Sequence, residues 1–211
     1  MDTIRAQAQT HDNRLSAQNA VVLMVDHQTG LMQLVRDYGA DEFKNGVLAL
    51  ADTAKLFKLP TILSTSFETG PNGPLLPELK AKFPDVAVIA RPGEINAWDN
   101  QDFVNAVKKT GRKKIIIAGI VTEVCVAFPV LAALSEGFEV YVVIDASGTT
   151  TTTLRDAAIT RMATAGAIIT NWFSVASELQ RDWRHNGEAA AQLFANHFVA
   201  YGNLIASHKA K

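Results

Sequence analysis

Short runs of apolar residues recur along this chain, and each is separated from the next by a segment whose apolar residues have helical spacing. The run Ala20–Val25 contains no polar position, which is typical of a strand buried on both faces. Lys114–Gly119 has the same character and ends in glycine. The six predicted strands cover residues 20–25, 61–65, 86–90, 114–119, 139–144 and 167–170.

Helical segments fill the intervals between these strands. In residues 41–57 apolar side chains recur every three or four positions, as expected for an amphipathic helix. The predicted helices cover residues 41–57, 75–83, 123–135 and 154–165, with one more around 103–107. This alternation predicts an α/β fold: a single-domain, doubly wound (Rossmann-like) parallel sheet of about six strands with helices on both faces.

The chain of 211 residues suits one such domain, and it shows no internal boundary or repeat. Residues 1–18 form a polar N-terminal arm, 19–185 the α/β domain, and 186–211 a helical C-terminal arm. In this last arm one helical stripe is apolar or aromatic, and it packs either on its own domain or on a neighbouring subunit. The stripe consists of Leu193, Phe194, His197, Phe198 and Tyr201.

Composition excludes several classes of function. The formal net charge is −1, so no basic face for nucleic acid is expected. The N-terminus lacks the apolar core of a secretion signal, and no apolar run reaches the roughly 20 residues of a membrane span. The single cysteine indicates a reducing compartment. We therefore expect a cytoplasmic protein that acts on a small molecule, without nucleic acid or membrane as a partner.

That single cysteine, Cys125, follows the Lys114–Gly119 strand by one turn and opens the next predicted helix. Unpaired amides and the positive end of the helix dipole favour a thiolate at such a position. A thiolate can attack a carbonyl carbon, and neighbouring amides can hold the resulting oxyanion. The alternative is a buried structural thiol, because free cysteine often behaves as a small apolar residue.

Two charged residues follow other strands of the predicted sheet. Asp26 comes directly after the first strand and Arg91 after the third. In a doubly wound sheet of order 3-2-1-4-5-6, strands one and four are neighbours where the order reverses, and ligands bind beyond their carboxyl ends. Asp26, Arg91 and Cys125 should therefore converge on one crevice. Alternatively, Asp26 caps the helix that follows and Arg91 forms a surface ion pair.

Each member of this trio has a chemical role in the hypothesis. Reference pKa values of about 3.9 for aspartate and 8.5 for cysteine make proton transfer from thiol to carboxylate cost about 6 kcal/mol. Burial of Asp26 would increase its proton affinity, whereas the helix start and Arg91 would stabilise the thiolate of Cys125. Arginine keeps its own proton, so the role of Arg91 is electrostatic and positional.

Three segments, residues 20–28, 90–99 and 117–126, resemble those of the isochorismatase-like cysteine hydrolases, most closely the YcaC-type branch. The resemblance extends from about residue 15 to residue 201. It implies the strand order 3-2-1-4-5-6, with Asp26 as base and Cys125 as nucleophile. Arg91 stands where most members carry lysine.

The resemblance carries further implications. It implies a non-proline cis peptide between Val121 and Thr122, and an oxyanion hole formed by the amides of Thr122 and Cys125. YcaC-type relatives also suggest a homo-oligomer, specifically an octamer. Metal-binding relatives carry histidines after strand two, where this chain has none, and Glu68 alone cannot supply three protein ligands. We therefore expect neither a metal nor another cofactor.

Several other residues are candidates for the wall of a substrate pocket, because most lie on loops that follow strands. Packing in the core or at an interface is the alternative for Trp98 and Phe67, and a plain polar loop is the alternative for Thr149. A thiol–imidazole pair with His27 is disfavoured, since adjacent strand-end residues point to opposite sides. The predicted pocket residues are Gln28, Phe67, Glu68, Asn96, Trp98 and Thr149.

The chain contains no phosphate-binding glycine loop, no G-x-S-x-G elbow and no H-E-x-x-H motif. The leading hypothesis is a metal-independent cysteine hydrolase that cleaves a small amide or related C–N bond through a thioester. One alternative is a catalytically silent oligomeric scaffold of the same fold. Another is an enol-ether hydrolase of the isochorismatase type, which need not use a thiol.

Overall fold

A computed structural model describes residues 14–210. Six parallel strands form one sheet in the order β3-β2-β1-β4-β5-β6, which confirms the predicted fold class and strand order. The strands are β1 (Ala20–Val25), β2 (Thr61–Ser66), β3 (Val88–Arg91), β4 (Lys114–Gly119), β5 (Glu139–Val143) and β6 (Ile168–Thr170).

Helices cover both faces of this sheet. The α-helices are α1 (Ala40–Leu56), α2 (Pro77–Lys82), α3 (Gln101–Lys109), α4 (Ala127–Ser135), α5 (Thr152–Thr164), α6 (Trp172–Gln180), α7 (Gly187–His197) and α8 (Val199–Lys209). Short 3₁₀ turns lie at Leu31–Leu34, Ala97–Asp99 and Ile144–Ala146, and a π-helical turn spans Thr122–Val126. In the described part of the chain, no helix has both the length and the apolar character that a membrane crossing requires.

The alternation of side chains along β1 divides the core into two layers. Val22 and Met24 pack with residues of α1, α6 and α7 on one face, and Val21 and Leu23 pack with residues of α3, α4 and α5 on the other. All six residues of β1 are buried, which explains the continuous apolar run. The central position of β1, paired with both β2 and β4, brings the carboxyl ends of these three strands to one edge of the sheet.

Three local expectations differ from the structure. Arg91 is the last residue of β3 instead of the residue after it. The helix predicted over residues 123–135 is divided into the π-helical turn and α4. Helix α6 was not predicted, although Trp172, Val175 and Ala176 are buried at helical spacing and the Asn171 side chain caps its start.

The C-terminal arm divides at Phe198, between α7 and α8. Leu193 and Phe194 of α7 belong to the core, and His197 contacts Asn45 of α1 through its ring. Helix α8 has no buried residue within the chain, so its place at a subunit interface stays a prediction. Most of the predicted N-terminal arm, residues 1–13, lies outside the described residues.

Candidate active site

Asp26 turns the chain sharply at the end of β1. Its φ angle of 58° lies in the left-handed region, which residues other than glycine adopt uncommonly and which often marks a functional position. Its amide donates to the carbonyl of Ser64 in β2 (2.8 Å), and its carbonyl accepts from the amide of Gln28 (2.7 Å). These bonds hold a fully buried carboxylate at the end of the central strand.

Arg91 extends from β3 across β2 to reach this carboxylate. Its side chain is fully buried, and Nη2 donates to both Oδ1 and Oδ2 of Asp26 at 2.5 Å. On the way, Nε donates to Oγ of Ser64 (3.1 Å). Sequence reasoning did not identify Ser64, which directly follows the apolar pair Ile62 and Leu63 in β2. The pair is therefore positioned by three neighbouring strands.

Cys125 approaches the same point from β4. A Cβ atom at Gly119 would lie 2.4 Å from the carbonyl oxygen of Val25, so glycine permits the close contact between the ends of β4 and β1. The π-helical turn that follows carries Cys125, which is half-buried; such turns occur frequently at functional sites. There the thiol forms a hydrogen bond with the carboxylate of Asp26.

The electrostatics favour a protonated thiol at rest. Burial, followed by the charge of Asp26, raises the pKa of Cys125, and the weaker opposing influence of Arg91 does not offset them. Burial likewise raises the pKa of Asp26 against the effect of Arg91. This direction runs against the expectation that the helix start would favour a thiolate, because desolvation and the adjacent carboxylate favour the protonated thiol.

The turn before the cysteine differs from expectation by one residue. The cis peptide joins Ile120 and Val121, not Val121 and Thr122. Ile120 still pairs with Gly148, and the Thr122 amide donates to the carbonyl of Gly148 (3.1 Å). The Thr122 N–H is therefore already bonded within the fold, which disfavours its predicted place in an oxyanion hole. The Val121 backbone, in contrast, forms a hydrogen bond with the Cys125 thiol.

Gln28 was predicted to line the pocket, but its amide is occupied by the backbone. Nε2 donates to the carbonyls of Ser66 (3.0 Å) and Gly73 (2.5 Å), and Oε1 accepts from the Ser66 amide (2.8 Å). Gln28 is also fully buried. Its role is to fasten the loop after β2 beside the site.

Trp98 and Asn96 also have structural partners. Trp98 donates from Nε1 to Glu136 Oε1 (2.8 Å) and packs edge-on against Phe103 and Phe138, in agreement with the core-packing alternative. Asn96 accepts from the Trp98 amide (3.0 Å) and so caps the following 3₁₀ turn. Neither residue is directed to Asp26 by these contacts.

The three remaining pocket candidates occupy different surroundings. Phe67 is 50% exposed, and its amide donates to the carbonyl of Arg91 (2.9 Å), so it lies beside the site. Glu68 lines a surface groove with Pro77 and Lys80. Thr149 is buried, and its Oγ1 has no partner among the described residues. Roles for Phe67, Glu68 and Thr149 in substrate binding stay predictions.

His27 has a structural environment. It is fully buried, and its Nε2 donates to the carbonyl of Ala146 (2.9 Å). Burial lowers the pKa of His27 to about 4, so the ring is neutral at neutral pH. Within residues 14–210, no group of three or more His, Cys, Asp or Glu side chains is arranged to hold a metal ion.

Known proteins resemble this chain in sequence and in fold. The sequence model of the isochorismatase domain matches residues 20–172. The probable hydrolase YcaC of Escherichia coli K12 is 63% identical over 195 residues, which are 92% of this chain and 94% of that protein.

Two solved structures are similar over nearly their whole length. YcaC from Pseudomonas aeruginosa, solved with hexane-2,5-diol and covalent acrylamide, is 62% identical with a TM-score of 0.92, covering 94% of this chain and 98% of that one. The E. coli YcaC structure, described as an octameric hydrolase of unknown specificity, is also 62% identical with a TM-score of 0.92, covering 94% and 97%. The chain therefore belongs to the isochorismatase family of hydrolases.

Proposed function

We propose that this protein is a cysteine hydrolase that cleaves a small amide or related C–N bond through a thioester, without a metal or cofactor. The observation that carries the proposal is the hydrogen bond between the Cys125 thiol and the buried carboxylate of Asp26, which Arg91 holds in place. Support also comes from the P. aeruginosa relative, which was solved with covalent acrylamide. A reactive, accessible nucleophile in this chain would agree with that result.

In the proposed acylation, Asp26 takes the proton from Sγ of Cys125 while the sulfur attacks the carbonyl carbon. The C–N bond then breaks, and Asp26 returns the proton to the leaving nitrogen. Water attacks the thioester, transfers a proton through Asp26 to the departing sulfur, and releases the carboxylic acid. General acid–base catalysis by one carboxyl group thus serves both half-reactions.

The raised pKa values determine when the thiolate forms. Because burial and the Asp26 charge raise the pKa of Cys125, a free thiolate is scarce before substrate binds. Burial also makes Asp26 a stronger proton acceptor. We therefore assign proton transfer to the same transition state as sulfur attack.

For the oxyanion, we assign the amide of Cys125. A preorganised amide beside a nucleophile stabilises the charge that develops on a carbonyl oxygen. Arg91 does not donate its proton in this scheme; it orients Asp26.

The proposal is tested by screening small aliphatic and aromatic amides for hydrolysis with wild-type protein and with Cys125→Ala. We expect the substitution to lower kcat by about 10⁴-fold or more, because the covalent intermediate cannot form. Rapid-quench mass spectrometry of the wild type should show the acylated protein. Amide turnover that persists in Cys125→Ala would contradict the proposal, and enol-ether hydrolysis that survives Cys125→Ser would favour that alternative chemistry.

We also propose that the protein assembles as a homo-octamer, since the E. coli relative is described as octameric and this chain leaves apolar residues of α8 exposed. Val199 is 78% exposed and Leu204 is 62% exposed. Sedimentation equilibrium should give eight times the chain mass, and Leu204→Asp should weaken the assembly if α8 lies at an interface. A wild-type monomer would contradict the proposal, whereas an octamer without any turnover would favour the scaffold alternative.

A further inference from the structure

We infer that the site selects substrates that carry no negative charge next to the bond that is cleaved: small, uncharged amides rather than carboxylate-bearing ones. This inference rests on the proposed function, because it concerns what reaches Cys125. It depends on the hydrogen-bond donors of Arg91, on the charges around them, and on the apolar residues beside them.

Arg91 has no donor left for a ligand. A guanidinium group has five N–H donors. Nε donates to Ser64 Oγ, and Nη2 donates to both carboxylate oxygens of Asp26. Nη1 donates to the carbonyls of Glu94 and Ile95. All five N–H groups therefore have acceptors within the protein.

The charges around Arg91 also leave no positive excess. Asp26 neutralises the guanidinium at direct contact. The carboxylate of Glu94 lies close enough to feel the charge of Arg91, and local hydrogen bonds, chiefly with backbone, lower the pKa of Glu94, so it is ionised at neutral pH. One cation is thus in contact with one carboxylate and within Coulombic range of a second.

Two exposed apolar residues adjoin Arg91 in the fold. Phe67 is 50% exposed and Ile95 is 63% exposed, and each is joined to Arg91 through its backbone. An anionic group placed here would lose hydration beside Asp26 and would gain no free guanidinium donor. Burying a charge without a partner is costly, whereas a neutral amide suffers neither penalty.

The inference is tested with two alkylating probes of similar size, iodoacetamide and iodoacetate. The rate constant for alkylation of Cys125 is measured with each probe at one pH and ionic strength, and the value for iodoacetamide is divided by the value for iodoacetate. This ratio is then divided by the same ratio for N-acetylcysteine. We expect the protein to favour the neutral probe by at least about tenfold more than the free thiol does, because like charges brought together at a recognition site are strongly disfavoured.

Two variants sharpen this test. Asp26→Asn removes the anion and releases at least one Nη2 donor, so the preference for iodoacetamide should fall at least about tenfold. Asp85→Asn removes the same charge from an exposed position before β3, at the opposite edge of the sheet, and should leave the ratio unchanged. Circular dichroism of each variant verifies that it is folded.

The outcomes separate this inference from the proposed function, because alkylation does not require turnover. A wild-type ratio equal to or below that of N-acetylcysteine would overturn the inference even if Cys125 proves essential for amide hydrolysis. A selective ratio without any amide turnover would instead refute the hydrolase. Failure of both probes to modify Cys125 would count against both.

Discussion

Replacement of Asp26 by asparagine should lower kcat/KM for amide hydrolysis by about 10²–10⁴-fold, the usual contribution of a general acid–base group. Asparagine keeps the shape of the side chain and tolerates the left-handed backbone at position 26. It cannot accept the thiol proton. Because the substitution also leaves buried Arg91 without its counter-ion, circular dichroism and denaturation of the variant verify that the loss reports the chemistry of the carboxylate and not a change of fold.

A pH profile distinguishes this role from simple structural support. The charge of Asp26 is one cause of the raised pKa of Cys125, so that pKa should fall in Asp26→Asn. The rate of alkylation by iodoacetamide should consequently rise at a lower pH in the variant than in the wild type. Identical pH profiles in the two proteins would contradict the assignment of Asp26 as base.

Replacement of Arg91 by methionine should destabilise the fold by about 3–5 kcal/mol at neutral pH, because it leaves a buried carboxylate without its partner. Chemical denaturation at fixed protein concentration measures this loss. As a matched control, Arg161→Met removes an exposed arginine of α5 whose guanidinium lies 5.6 Å from the centre of the Phe128 ring, and it should change stability by about 1 kcal/mol or less. A comparable loss in the two variants would contradict a structural role for the Asp26–Arg91 pair.

The penalty in Arg91→Met should depend on pH with a defined sign. Burial raises the pKa of Asp26 above its ordinary value even beside Arg91, and removal of the cation should raise it further. Between the ordinary and the raised value the folded state binds a proton that the unfolded state lacks, so stability falls as pH rises through this window. Below the ordinary value, about pH 4, both states are protonated and this penalty should disappear.

The sequence predicted the sheet and the meeting of Asp26, Arg91 and Cys125 because those features follow from topology. Apolar runs identified β1 and β4 with correct bounds. Since carboxyl ends of neighbouring parallel strands share one edge, residues at those ends, such as Asp26 and Arg91, come together, and the turn after β4 brings Cys125 to the same point. No side-chain detail was needed for that conclusion.

Features decided by local packing were not predictable in the same way. Whether Trp98 faced the pocket or Glu136 depended on the packing of α4. Whether the Thr122 amide was free to bind a ligand depended on Gly148, which lies 26 residues (148 − 122) further along the chain. The pKa of Cys125 required the balance of burial against two opposite charges. A pattern of residue types contains none of these quantities.

The left-handed backbone at Asp26 has a consequence for how this protein would evolve. Such a conformation costs a residue with a side chain of order 1 kcal/mol or more, and the cost is borne in the folding equilibrium before any ligand arrives. Glycine at position 26 would relieve the local strain but would leave Arg91 without its carboxylate. Because an unpaired buried charge costs about 3–5 kcal/mol, more than this relief, selection for stability and selection for turnover both retain an aspartate at this strained backbone angle.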